Sequence, residues 1–521
     1  MTQRAYRAAC PNCGAPVEFS SAASSSAVCS FCRSTLVRDG EALRRIGVSA
    51  ELFDDHTPLQ LGATGRRLGL GFTLVGRLQY GYESGTWNEW HALFDNGRSA
   101  WLSEDNGAYV LAFDAPLPAD APAPGTLRAG QRVLADGRAW DVASVVRARL
   151  IAAQGELPAP PRLEGEFLVV DLRNSAGEVA TLDASNPAAV HWSVGRSVAI
   201  SELAMSGLRE TGEKTLASRA LECPSCGAAL QVTLATTQSI ACNECKSVVD
   251  VSGGVGAELA HYRQNNAGVG GLQPQIALGR SGTLALGGAP LPWQVVGYLE
   301  RCDIPTDADE DTSFWREYLL YNREAGFAFL VDSDDGWSWV RPITGVPVQR
   351  GPLATWEGAS YHRTASYGAK VTWVLGEFYW RVQRDERAEV ADYEGIGAHA
   401  ARRLSREESG SEVTWSAGET IAAAAVADAF GIAPGARAAL QRDTAPVSSG
   451  KKASGKAMMI FGLVVLVMLV LGECSGDDCD DVRTTFGEAS NEYRQCVDRA
   501  GSGARTGGGS FGGWASGGGH K

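Results

Sequence analysis

Residues 86–110 read TWNEWHALFDNGRSAWLSEDNGAYV. Asp95-Asn96-Gly97 and Asp105-Asn106-Gly107 are signals of tight hairpin turns, because Asn-Gly tolerates the positive φ that such turns require. They cut the stretch into NEWHALF, RSAWLSE and AYVLAF, three short runs rich in aromatic and apolar residues. Residues of that type fit a pleated, half-buried surface, so the segment is expected to be a three-stranded β meander. Asp136-Gly137 marks another hairpin, and FLVVDLRN and EVATLDAS flank Ser175-Ala176-Gly177 as a further one. The Pro/Ala-rich stretch Ala115–Gly125 reads as a surface loop.

The stretch recurs. FWREYLLYNREAGFAFLVDSDDGWSWV, from Phe314, parallels TWNEW…AYV, with a turn signal at Asp335-Gly336. LQLG at Leu59–Gly62 pairs with IALG at Ile276–Gly279, and LVGRL at Leu74–Leu78 with VVGYL at Val295–Leu299. GEF at Gly165–Phe167 pairs with GEF at Gly376–Phe378, and HWSVG at His191 with TWSAG at Thr414. A period of about two hundred residues exceeds any solenoid repeat and indicates a tandem duplication. Six or more strands per copy suit an antiparallel barrel, closed or half-closed. A helix is expected at the end of each copy, near Ser197–Met205 and Glu419–Phe430.

Each copy follows a set of four cysteines. CPNCGAPVEFSSAASSSAVCSFC places Cys10, Cys13, Cys29 and Cys32, and CPSCGAALQVTLATTQSIACNEC places Cys223, Cys226, Cys242 and Cys245. The two-residue gap lets both thiolates of a knuckle face one ion, and the longer gap lets a hairpin bring back the second pair. Two four-cysteine zinc ribbons are therefore expected, each with one structural zinc ion. A redox Cys-x-x-Cys pair sits at a helix start in a βαβ setting, which this sequence lacks, and disulfides conflict with a reducing cytosol. Four sulfurs fill the tetrahedron and leave no position for a reactive water.

Composition bounds the function. The chain has 521 residues, enough for about three or four domains, with a net charge of −13. Acidity argues against a phosphate-binding surface as the default. Few basic residues flank the ribbons, such as Arg33 and Arg38 near the first and Lys246 near the second, so nucleic-acid binding through them is an alternative, not the main expectation. The 62 glycines and 14 tryptophans favour turns and strands. MTQRAYRAAC has no apolar run of the export-signal type, which points to the cytosol.

The pattern L-G, V-x-G, W-x-E-[WY], W-L, G-E-F, W-S-x-G resembles the bacterial family known as domain of unknown function 4178. The likeness covers roughly Leu59–Gly207 and Ile276–Gly431. Where the first copy has Trp101-Leu102, the second has Phe329-Leu330. Zinc ribbons often accompany the family. The resemblance implies no established reaction and, by association, a place in envelope maintenance.

The stretch from Ala457 to Gly472 is sixteen uncharged, mostly apolar residues. At 1.5 Å per residue it spans about 24 Å of a hydrocarbon core of about 30 Å, a mismatch that Lys456 snorkelling and local thinning can absorb. Lys451, Lys452 and Lys456 precede it; Glu473, Asp477, Asp478, Asp480 and Asp481 follow it. A single inner-membrane span is expected, with the N-terminal bulk cytosolic and the tail extracytoplasmic. Out there Cys474, Cys479 and Cys496 could pair in a disulfide, carry lipid at Cys474, or stay free. The Gly-rich end is low-complexity. The expected organisation is thus: ribbon 1–45, β module 55–210, ribbon 218–255, β module 272–435, linker 436–456, transmembrane helix 457–472, acidic then Gly-rich tail 473–521.

Enzyme signatures are missing. None of the seven histidines forms His-Glu-x-x-His, and the one Gly-x-Ser-x-Gly match, Gly508–Gly512, lies in the Gly-rich low-complexity end, away from any strand-to-helix elbow. GLRETGEKT at Gly207–Thr215 departs from a phosphate loop because Glu213 separates Gly212 from Lys214. The one repeated polar feature is Trp87-x-Glu89-Trp90 and Trp315-x-Glu317-Tyr318. Trp87 and Glu89 share a strand face, as do Trp315 and Glu317. An acid beside an indole suits a cation such as a polyamine; the competing reading is that the indoles fill the core and the acid satisfies an arginine or the backbone. The expected function is a non-catalytic, membrane-anchored binding or scaffold protein with a protein partner. The alternatives are a small-cation sensor using Trp87, Glu89, Trp315 and Glu317, and a nucleic-acid binder.

Overall fold

A computed structural model describes residues 6–19, 26–32, 34–39, 42–48, 57–83, 85–105, 108–161, 165–186, 189–209, 221–230, 232, 237–251, 261–262, 274–306, 312–322, 325–382 and 385–440. The molecule is mainly β and its strand pairings are antiparallel. The expected meander is present as strands Thr86–Phe94, Ser99–Asp105 and Ala108–Ala115. At Asp136-Gly137 both residues have positive φ, 54° and 66°, as a two-residue hairpin turn of the primed kind demands.

In the first copy, Leu70–Gly81 pairs with Thr86–Phe94, then Ser99–Asp105, then Ala108–Ala115. Ala108–Ala115 next pairs with the last strand, His191–Ser197, which runs back through Glu178–Asp183 and Phe167–Arg173 to the strand Arg138–Leu157. That strand, 20 residues long, returns to Leu70–Gly81 and closes an eight-stranded ring. Its first half, Asp141–Ala148, pairs with Phe167–Arg173; its second half, Arg149–Gly155, pairs with Leu70–Gly81. One strand thus leaves one four-stranded sheet and enters the other.

The second copy repeats the scheme. Leu291–Ile304, Phe314–Asn322, Gly326–Ser333 and Gly336–Ile343 form the first meander. Gly336–Ile343 pairs with Glu412–Ile421, which leads through Arg402–Ser409 and Arg387–Gly395 to Ala359–Phe378, again 20 residues and again the closing strand. Apolar side chains fill both sides of the strands. Trp90 packs with Leu59, Phe72 and Leu102, whereas Trp87, on the opposite face, packs with Val146, Phe167 and Val169.

Three expectations change. The segment after the first copy is a single 3₁₀ turn, Ile200–Leu203, not a longer helix, while the second copy does end in a helix, Ala423–Ala429. The second module runs on to Leu440, which is buried and whose carbonyl accepts a 2.8 Å hydrogen bond from Trp337 Nε1; the stretch read as the start of a linker therefore belongs to the barrel. The third is the pairing of the two GEF motifs. The structural counterpart of Gly376-Glu377-Phe378 is Gly155-Glu156-Leu157, at the end of the closing strand of the first copy. Gly155 faces Gly76 and Gly376 faces Gly297 in register, and both Gly155 and Gly376 have positive φ, 71° and 82°.

Among the described residues no helix is long and apolar enough to cross a membrane. The expected span at 457–472, the tail and its three cysteines lie outside the described residues.

Candidate metal centres

The two cysteine sets come together as the spacing predicts. In each set the four sulfurs lie within 4.8 Å of one another. Cys10 and Cys32 sulfurs are 3.6 Å apart and Cys13 and Cys29 3.7 Å; Cys223 and Cys245 are 3.6 Å apart and Cys226 and Cys242 3.8 Å. A zinc–sulfur bond of about 2.3 Å gives a tetrahedral edge of about 3.8 Å, so these separations fit four thiolates around one ion. A disulfide needs about 2.05 Å.

The knuckles are shaped by the backbone. Cys10 N donates to Ala15 O and Gly14 N to Cys10 O, both at 2.8 Å; Cys223 N to Ala228 O and Gly227 N to Cys223 O repeat them at 2.8 Å. The turn needs a left-handed residue after the second cysteine, which Gly14 (φ 74°) and Gly227 (φ 75°) supply. Lys246, after Cys245, takes the same conformation at φ 59°. A 3.2 Å hydrogen bond joins Ser34 Oγ to Cys32 Sγ, and with Asn12 it draws the Cys32 thiol down, while the neighbouring sulfurs push Cys13 up.

The ribbons are not separate beads. Ser26–Val28 of the first pairs with Gly155–Leu157, the end of the first closing strand. Ser239–Ile240 of the second pairs with Glu377–Phe378, the end of the second. Ser239 also donates to the Trp380 carbonyl at 3.2 Å and accepts from Val382 N at 2.9 Å. Each ribbon therefore adds an edge strand to the barrel that follows it. Sequence spacing locates the ligands but gives no sign of this docking, which depends on strands more than a hundred residues away.

The tryptophan–glutamate pairs are deep in the barrels. Trp87 and Glu89 are buried, and Trp87 Nε1 donates to Glu89 Oε1 at 3.1 Å; Ser103 Oγ donates to Glu89 Oε2 at 2.6 Å. Trp315 and Glu317 are buried likewise, with Trp315 Nε1 donating to Glu317 Oε1 at 2.7 Å. In the second copy a cation does sit on this pair, and the chain supplies it. Arg301 Nη1 reaches Glu317 Oε1 at 3.0 Å and Glu407 Oε1 at 2.8 Å, and its guanidinium lies 5.3 Å from the Trp315 ring centroid. In the first copy Tyr80 stacks on Trp87 instead, at 5.0 Å. Sequence reading missed Arg301 and Glu407 because they are 106 positions apart and carry no local motif.

Burial pushes the Glu407 carboxyl up to about 8, against the pull of Arg301 and with help from the neighbouring Glu317 charge. One guanidinium between two carboxylates leaves one acid best protonated. A related exchange links the two copies. Arg77 donates to Asn88 Oδ1 at 3.1 and 2.8 Å and stacks 4.8 Å from the Trp90 centroid. At the matching positions the second copy has Tyr298 and Arg316, and Arg316 pairs with Asp332 at 3.3 Å. The cation has moved one strand across, beside Asp332, the counterpart of Glu104.

Two stretches of the sequence, residues 60–199 and 290–423, match one family, described as domain of unknown function 4178. The chain belongs to that family. The two matches fall on the two barrels, and together they cover more than half of the 521 residues. No curated protein and no solved structure matches the chain. The V-x-G element of the domain of unknown function 4178 pattern maps to Gly76 and Gly297, where the closing strand crosses the first strand of each barrel.

Proposed function

We propose that this member of the domain of unknown function 4178 family is a zinc-stabilised binding or scaffold protein of bacteria. It is tethered by residues 457–472 to the inner membrane, with its ribbons and barrels in the cytosol and its tail outside, and it serves envelope maintenance through a protein partner. The observation that carries this reading is the pair of four-sulfur clusters on edge strands of the barrels. Each donor set saturates a tetrahedral zinc ion, so the metals supply folding energy and surface shape in place of chemistry. The burial of Glu89 and Glu317, and the presence of Arg301 on Trp315, speak against a small-cation sensor at those residues.

The test is fractionation of the full chain beside a chain ended after residue 440, with metal analysis of both. The reading expects the full chain in the membrane fraction and released only by detergent, the shortened one in the soluble fraction, and two zinc ions in each. A full chain that stays soluble, or a protein that holds iron and turns over a redox substrate, overturns it.

A further inference from the structure

We propose that the cleft between the two barrels binds a small oxoanion, a phosphate or carboxylate group, through Arg173, Arg363 and Arg406. The cleft is a cavity of about 280 Å³ walled by the first barrel on one side and the second on the other. Ligand sites favour such domain junctions, and this volume suits a small molecule rather than a polymer.

Its lining is cationic in an acidic protein. Three arginines line it beside one acidic residue, Asp141, with the Glu408 carboxylate next to Arg406 at Gly130, whereas the whole chain has 47 basic and 60 acidic residues. Asp141 is already engaged from outside the cleft by Arg132, which donates to its two oxygens at 3.1 and 3.0 Å. Arg363 is exposed and has no ion-pair partner among the described residues. Arg406 pairs with Glu408 at 2.8 Å and reaches across the seam, so that a β-carbon on Gly130 of the first barrel would lie 2.9 Å from its Nη2. Arg173 is 6% exposed and donates to the Ile343 carbonyl of the second barrel at 3.5 Å; burial weakens its hold on its proton, and the charges of Asp171, Glu412 and Asp105 oppose that.

Strand register explains why these groups converge. Arg363 lies opposite Tyr393, Ser366 opposite Ala391, and Ala391 opposite Arg406, which in turn lies opposite Trp415. Directly opposed residues share a sheet face, so Arg363, Tyr393, Ser366 and Arg406 point the same way. The Tyr393 hydroxyl, made less acidic by burial, is pulled back by the fields of both Arg363 and Arg406, which places both charges near it. Two forked guanidinium groups are the donors that an oxoanion takes, while the Tyr393 hydroxyl beside them donates to Gln349 Oε1 at 3.4 Å.

The experiment is calorimetric titration of the full chain in detergent with inorganic phosphate and, separately, with citrate, with sodium chloride at equal ionic strength as the control. Saturable binding of either anion is expected, weakening as salt rises, and Arg363→Ala and Arg406→Gln are each expected to weaken it at least tenfold. Phosphate alone or citrate alone assigns the ligand class. Neither anion binding above the chloride control, or binding unchanged in the Arg363→Ala protein, overturns the proposal. Arg363 is exposed, so its removal leaves the fold intact, and a melting temperature equal to that of the parent without ligand checks this.

Discussion

Gly76 has no room for a β-carbon, because the carbonyl oxygen of Glu156 occupies that space. The same oxygen lies 2.9 Å from His91 Nδ1, so the strand cannot easily back away. Gly297 repeats the relation, with a β-carbon falling 2.7 Å from the Glu377 carbonyl oxygen. The point matters because three elements meet there: the first strand of a barrel, the strand that closes it, and the edge of a four-cysteine ribbon.

Gly76→Ala and Gly297→Ala are therefore expected to destabilise the protein, by about 1–3 kcal/mol as forced backbone shifts do. Gly125→Ala is the control, since its β-carbon would meet nothing within 4 Å and its φ is ordinary. Thermal melting of the three variants decides: an unchanged midpoint in Gly76→Ala refutes the steric argument.

Metal removal should loosen each barrel at its closing strand. Cys242→Ser takes one ligand from the second ribbon only. Hydrogen exchange is expected to rise at Ser239–Ile240 and Glu377–Phe378, which pair with one another, and to stay at parent levels at Ala27–Val28 and Gly155–Glu156. Equal exchange at both sites would mean that the two ribbons do not act on their own barrels.

Glu407 provides a pH dependence with a definite sign. Its carboxyl is raised in the folded protein to about 8 from the ordinary 4.5. The folded state then holds a proton that the unfolded state has lost, so this group's contribution is full below about 4.5, declines as pH rises, and is gone above about 8. Glu407→Gln, which mimics the protonated acid, should fold and flatten the stability–pH curve over that window. Arg301→Ala leaves Glu317 and Glu407 facing each other without a cation and is expected to cost about 3–5 kcal/mol. Denaturant melts at a series of pH values separate the two outcomes.

Because Arg301 already lies on Trp315 and Glu317, spermidine has no place there. Tryptophan fluorescence is expected to show no saturable change up to millimolar spermidine. A saturating response lost in Glu89→Gln would restore the cation-sensor reading in the first barrel, where Tyr80 replaces the arginine.

The local parts of this fold were legible from the residues. Asn-Gly and Asp-Gly turns announced the hairpins, and the cysteine spacing announced both four-sulfur clusters. The duplication was legible too, but not which distant strands meet. GEF at Gly165–Phe167 looked like the mate of Gly376–Phe378, yet the structural mate is Gly155-Glu156-Leu157, because a crossing of two backbones selects the glycine and leaves the third residue free to be Leu or Phe. The pairing of Ala108–Ala115 with His191–Ser197 likewise leaves no local trace. Trp87 and Glu89 did alternate with Trp90 as expected, but both faces of their strand are covered, so alternation could not mark an open site.

Among the described residues, each ribbon pairs its strands with the barrel encoded just after it and not with the other one. The repeating unit of the chain is therefore a four-cysteine ribbon together with its barrel. The seam lined by Arg173, Arg363 and Arg406 takes residues from both units, so neither unit alone could form it.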